Sequence, residues 1–141
     1  MKLCPRYLLP LVLAVFTLAL LSAPLAAAEG DAVFGKHTYR SFCSSCHGDS
    51  GEGDGDLAQY LTIEPTNLTM LASTNGGEFP AERVRVVIDG REPVPGHGGG
   101  DMPAWGYAFR EIYEDATVEQ KIDQLVAYLR TLQVTNAAPA R

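Results

Sequence analysis

Positive charge is scarce in this chain. Eleven Lys and Arg face 17 Asp and Glu, a formal net charge of −6. No basic patch is present that could neutralise a run of phosphates, which excludes nucleic acid as a partner. Cysteine, histidine and methionine are scarcer, with three of each. No internal repeat and no convincing strand pattern can be found, and no βαβ alternation. Long apolar runs are also lacking, except one. Leu8 to Leu21 is broken only by Pro10 and Thr17, follows Lys2 and Arg6, and leads into Ala26-Ala27-Ala28 before Glu29. The run is short for a membrane span of about 20 residues. The pattern reads as a secretory signal peptide over residues 1–28, which places the mature protein in the periplasm and off the membrane. Cys4 would be lost with it. The mature chain, 29–141, has 113 residues, enough for one domain, and carries 9 basic and 17 acidic residues, a formal charge of −8. Such a surface suits docking on a basic partner.

Two cysteines remain, and they are close together in Cys43-Ser44-Ser45-Cys46-His47. Three readings compete. An exported Cys pair can form a disulfide. C-x-x-C can be a thioredoxin-like redox pair, but that motif opens a helix after a strand, whereas here a helical pattern precedes the cysteines. C-x-x-C-H is also the attachment signature of a c-type haem. Each thiol adds to one vinyl group along one edge of the porphyrin, and two intervening residues allow both to reach. His47 then sits where its imidazole can ligate the iron. The export signal and the adjacent histidine favour this last reading, with one covalent haem c as cofactor.

The flanking segments support a helical chain. Asp31 to Phe42 reads as a first helix, with Val33, Phe34, Tyr39 and Phe42 as an incomplete stripe. Gly48 to Asp56 is a polar, glycine-rich loop. Its Asp49, Glu52, Asp54 and Asp56 suggest calcium, but Ala58 occupies a required ligand position and no glutamate closes the loop, so a solvated loop is the better reading. Asn67 or Thr66 can cap a following helix. Phe79 to Asp89 reads as a short helix begun by Pro80, with Val84, Val87 and Ile88 inward and Gly90 as its stop. Arg91 to Gly100, with two prolines and four glycines, reads as a loop. Thr117 to Gln133 reads as the last helix, with Thr117 and Gln120 as a capping box and Ile122, Leu125, Val126, Leu129 and Leu132 as its stripe. Thr135 to Arg141 reads as a frayed tail.

Gly35 and Tyr39 ahead of C-S-S-C-H-G, then P-T-N-L at 65–68, D-M-P-A-W at 101–105 and the last helix make the chain resemble the class I mono-haem c-type cytochromes. The resemblance covers almost the whole mature chain. It implies an all-α fold of about four short helices wrapped around one haem, with the first and last helices crossing. Close backbone approach at that crossing would explain Gly35. It also implies that the Pro65 carbonyl accepts from His47 Nδ1, that Leu68 packs on the ring, and that the protein carries one electron at a time. Trp105 is expected near the haem, with its indole N–H toward a propionate, or in ordinary core packing.

Met102 is the expected second axial ligand. His37 lies on the helix leading into the attachment site and cannot easily reach the opposite face. Met70 follows Leu68 closely and reads as core. His97 has glycine on both sides and lacks the Pro103 that restricts Met102 to extended geometry. A His47/Met102 pair fills both axial positions, so no turnover chemistry is expected and the chain is not expected to be an enzyme. Donor and acceptor would be redox proteins, such as a periplasmic dehydrogenase or a terminal oxidase. The alternatives are a dedicated subunit of one oxidoreductase complex, or a haem enzyme or gas sensor with a labile sixth ligand.

Overall fold

The computed structural model describes residues 23–91 and 102–134, with side chains from residue 31 onward. The chain divides into two units, Met1–Gly30 and Asp31–Arg141. Most of the signal segment, the 92–101 stretch with His97, and the 135–141 tail lie outside the described residues. Among the described residues every regular element is helical: α1 Ala23–Phe42, α2 Ser44–His47, 3-10 turns at Ala58–Tyr60 and Leu68–Met70, α3 Leu71–Thr74, α4 Ala81–Asp89, α5 Trp105–Arg110 and α6 Asp115–Thr131. Since α2 and α3 are single turns, four longer helices carry the fold, as the resemblance implied. No helix among the described residues is long and apolar enough to cross a membrane. The expected boundary between residues 28 and 29 falls within α1.

The inward face of α1 is Gly35, Thr38, Tyr39 and Phe42, spaced i, i+3, i+4, i+7. Val33 and Phe34, expected on that stripe, are 58% and 60% exposed. The expectation failed because a glycine and a threonine occupy inward positions and carry no hydrophobic signal. Gly35 permits the crossing of α1 and α6: a Cβ there would lie 1.9 Å from the Gln124 carbonyl oxygen and 2.8 Å from Tyr128 Cβ. Thr38 is buried but satisfied, its hydroxyl donating to the Phe34 carbonyl at 3.3 Å. Tyr39 and Tyr128 then meet ring to ring at 5.2 Å.

Helix α6 begins two residues before the sequence suggested. The Thr117–Gln120 capping box does not form; Glu114 is the cap residue and its carbonyl accepts from the amides of Thr117 and Val118. Ile122, Leu125, Tyr128 and Leu129 are buried, as is Val118, while Val126 and Leu132 pack on the core half-buried. Helix α4 starts after Pro80 and is stopped by Gly90, whose φ of 64° is the left-handed conformation that suits glycine. Helix α5 had no counterpart in the sequence reading. It is short and mixed, yet it delivers Phe109, fully buried, edge-on to Phe42 at 5.3 Å and beside Trp105 at 5.4 Å.

Candidate functional site

The C-S-S-C-H stretch forms the turn between α1 and the glycine-rich loop. Cys43 continues α1, its amide donating to the Tyr39 carbonyl at 2.8 Å, and α2 then coils the next residues so that His47 N donates to Cys43 O at 2.9 Å. A one-turn helix leaves its last carbonyls without partners. The following loop supplies them: Gly53 N reaches His47 O at 2.9 Å, Gly55 N reaches Cys46 O at 3.2 Å and Leu57 N reaches Ser45 O at 2.8 Å. Glycine is needed where these backbones touch, since a Cβ on Gly55 would lie 2.4 Å from Ser45 O. The loop was expected to be merely solvated. Its Gly48, Gly51 and Gly53 are buried instead, and the Tyr39 hydroxyl donates to Gly48 O at 2.6 Å inside the core.

This folded loop reaches the P-T-N-L segment. Leu68 N donates to Gly51 O at 2.7 Å. Asn67 caps the 3-10 turn, its Oδ1 accepting from Thr69 N at 2.9 Å. His47 Nδ1 pairs with the carbonyl of Thr66 at 3.1 Å. The acceptor is therefore Thr66, not Pro65 as the resemblance implied. The Pro65 carbonyl is turned toward Gly53, where a Cβ would stand 2.4 Å from it. A carbonyl only accepts, so Nδ1 carries the proton and Nε2 keeps its lone pair. Burial holds the imidazole below the ordinary histidine pKa, opposed by the bond to Thr66, and so favours that neutral form.

Two adjoining cavities open beside this turn, of about 350 Å³ and 130 Å³. Cys43, His47, Thr66, Met102 and Trp105 line both. The larger is otherwise walled mainly by Leu68, Leu71, Val84, Val87, Ile88, Leu125 and Leu129, with Arg83 among its polar residues. Cys46 and Pro65 line the smaller, together with Leu61 and Ile63. The sequence-expected residues are thus brought together. Trp105 lines both cavities and packs on Phe42 at 5.6 Å, which is the core-packing reading offered for it. Met70 is a correction: it lines neither cavity and is 36% exposed, not core, because the 3-10 turn points Thr69 inward instead. His37 is exposed on α1. Thr66 was missed as the histidine's partner; its backbone, not its side chain, does the work, and residue type carries no signal for that.

Burial raises the Cys43 thiol to about 12, which is the wrong direction for a thioredoxin-like thiolate. An apolar cleft with two cysteines and a neutral imidazole on its wall fits a large flat macrocycle better than a polar substrate. Such a helical cleft defines a haem-attachment protein, and the residues present suit that group. The chain matches the family model Cytochrome c over residues 27–133, and it belongs to that family, the mono-haem c-type cytochromes, electron carriers with a covalent haem c. Neither curated proteins nor solved structures gave a match.

Proposed function

We propose that the mature chain, residues 29–141, is a periplasmic one-electron carrier released from a signal peptide over 1–28. Cys43 and Cys46 hold one haem by thioethers, His47 is one axial ligand and Met102 the other. The observation that carries this reading is that Cys43, His47 and Met102 share the walls of both cavities while His47 is tied to Thr66. The haem, when bound, supplies an iron that alternates between ferric and ferrous states, the latter favoured by a His/Met pair. The chain's own residues do the rest. Thr66 fixes the imidazole's tautomer and ring plane. Leu68, Ile88, Leu125 and Leu129 exclude water, lowering the local dielectric and so disfavouring the more highly charged oxidised state. Docking on basic-faced donors and acceptors, such as a periplasmic dehydrogenase or a terminal oxidase, follows from a mature charge of −8.

Spectra of the oxidised and reduced holoprotein, with the mass of its mature form, test the assignment. Mass should equal residues 29–141 plus one haem, and the resting iron should be low-spin. Met102→Ala should lower the reduction potential and let external imidazole bind at least about tenfold tighter, since a protein-supplied ligand no longer competes. An unchanged spectrum in that variant would remove Met102 from the iron. Purification of the native protein alone, not with fixed partners, separates a free carrier from a subunit of one complex.

A further inference from the structure

The end of α4 and the start of α5, which follows Met102 by three residues, are in close contact. Gly90 lies so near Ala104 that a Cβ would stand 2.8 Å from Ala104 Cα. Gly106, buried in the first turn of α5, faces the end of α4: a Cβ there would stand 1.8 Å from Asp89 Oδ1 and 2.7 Å from Arg91 Nε. Arg91 closes this neck. Its Nε donates to Asp89 Oδ1 at 2.5 Å and its Nη2 to Glu119 Oε1 at 2.7 Å, with the Arg91 and Asp89 side chains only 19% and 15% exposed. Glu119 belongs to α6, so three elements meet at one guanidinium. Arg85, one turn and a half earlier, joins the same Glu119 and Asp123. It ties α4 to α6, while the atoms nearest Gly106 belong to Asp89 and Arg91, and so separates two roles that would otherwise be confounded.

We propose that Asp89, Arg91 and Glu119, closed against Gly106, are positioning residues for the Met102 thioether. They hold the start of α5, a few residues after Met102, against the end of α4 and α6. The inference rests on Met102 being the distal ligand. Fixing the backbone a few residues away from Met102 lowers the entropy lost when its side chain is fixed. A thioether is a weak ligand, so its bond to iron is sensitive to how well its carrier is held. Arg91 suits the task because its planar fork meets two carboxylates at once. A staple that merely joins α4 to α6 would give Arg85 and Arg91 equal standing.

The test uses holoprotein, with imidazole as competing ligand and the far-red sulfur-to-iron charge-transfer band as signature. In wild type the band should be present, and Met102→Ala should abolish it. Arg91→Gln should weaken the band, lower the potential and tighten imidazole binding about tenfold, equivalent to about 1.4 kcal/mol. That is of the order of one hydrogen bond to a charged group. Arg91→Lys should restore part of the loss, and Asp89→Asn should repeat it should Arg91→Gln yield too little protein. Arg85→Gln should bind imidazole as wild type does, within about twofold, even where it lowers thermal stability by as much. Equal imidazole binding in Arg91→Gln and Arg85→Gln, with the band lost in Met102→Ala, overturns the positioning role alone. A wild type without the band, unchanged by Met102→Ala, overturns this role together with the assignment of Met102.

Discussion

The His47 wall of the cleft and the Met102 wall are held by different kinds of bond. On the His47 side the backbone bonds to itself: Gly53, Gly55 and Leu57 amides close α2, Leu68 closes on Gly51, and the imidazole rests on a carbonyl. Nearly all of these partners lie within about twenty residues of one another in sequence. On the Met102 side, the neck is held by side-chain charge, with Arg91 reaching Asp89 nearby and Glu119 on a distant helix. Backbone bonds in a folded loop are insensitive to salt, and their loss opens the loop as a unit. Ion pairs are screened and individually weak. The His47 side therefore depends on contacts that salt does not weaken, and the Met102 side on contacts that it does.

The largest break in that comparison is at the attachment itself. On the proposed attachment through Cys43 and Cys46, Cys46→Ala would remove one thioether and, with it, secure retention of the haem. The clefts, about 350 Å³ and 130 Å³, are lined largely by apolar side chains of a small core, and a ring bound there would cover them. Little folded protein should be recovered. Haem staining and circular dichroism read this out; a variant with full helix content and a sharp thermal transition would show that the chain's own contacts suffice.

Gly35→Ala strains the crossing of α1 and α6 without touching the haem ligands. Its Cβ would meet the Gln124 carbonyl, so α1 and α6 must separate. Overpacking of this kind costs about 3 kcal/mol, offset by less than about 1 kcal/mol of helix propensity. A net loss of about 2 kcal/mol should lower the thermal midpoint by roughly 10 °C. Scanning calorimetry of the holoprotein checks it, and an unchanged midpoint would mean that the helices are not in contact there.

Tyr39→Phe is a smaller test of the same side. It deletes the buried hydroxyl that donates to Gly48 at 2.6 Å and keeps the ring against Tyr128, tilted at 57°. Stability should fall by about 1–2 kcal/mol, the cost of a buried carbonyl left without its donor. The effect should be the same in low and high salt. Denaturant titrations at two ionic strengths would expose a charge-based role if the two losses differed.

The same contrast explains which parts could be read from the sequence. The attachment turn is contiguous, so Cys43, Cys46 and His47 stand out as a motif. Gly35 was legible through the offsets of the resemblance, and Ile122, Leu125 and Leu129 through clean periodicity. Helix α5 was not legible, because six residues give less than two turns of pattern and Gly106 argues against a helix. The acceptor for His47 shifted from Pro65 to Thr66, since a carbonyl's direction depends on where Gly53 lets the chain pass. The Val33 and Phe34 expectation failed for the related reason that small residues can face a core. Arg91, Asp89 and Glu119 carried no signal at all: charged residues at those separations look like a solvated surface until the chain folds.

The smallest expected effect concerns Glu119 and tests the charged side by pH. Its carboxyl is held below the ordinary carboxylate range, chiefly by Arg91 and then by Arg85. A folded-state pKa below the unfolded one means that the group stabilises the fold above the unfolded value, where the carboxylate is ionised in both states. That contribution is lost as pH falls through the folded value. Glu119 is partly exposed, at 39% for its side chain, so the whole contribution should be at most about 1 kcal/mol. Glu119→Gln should therefore be slightly less stable than wild type near neutral pH. The gap should narrow as the pH is lowered below about 4, and also as salt is raised. Tyr39→Phe, measured in parallel, should keep a constant gap across the same range. Thermal unfolding of the three proteins from pH 7 downward decides it. If the Glu119→Gln gap stayed constant while that of Tyr39→Phe closed, the two sides of the cleft would have exchanged the roles assigned to them.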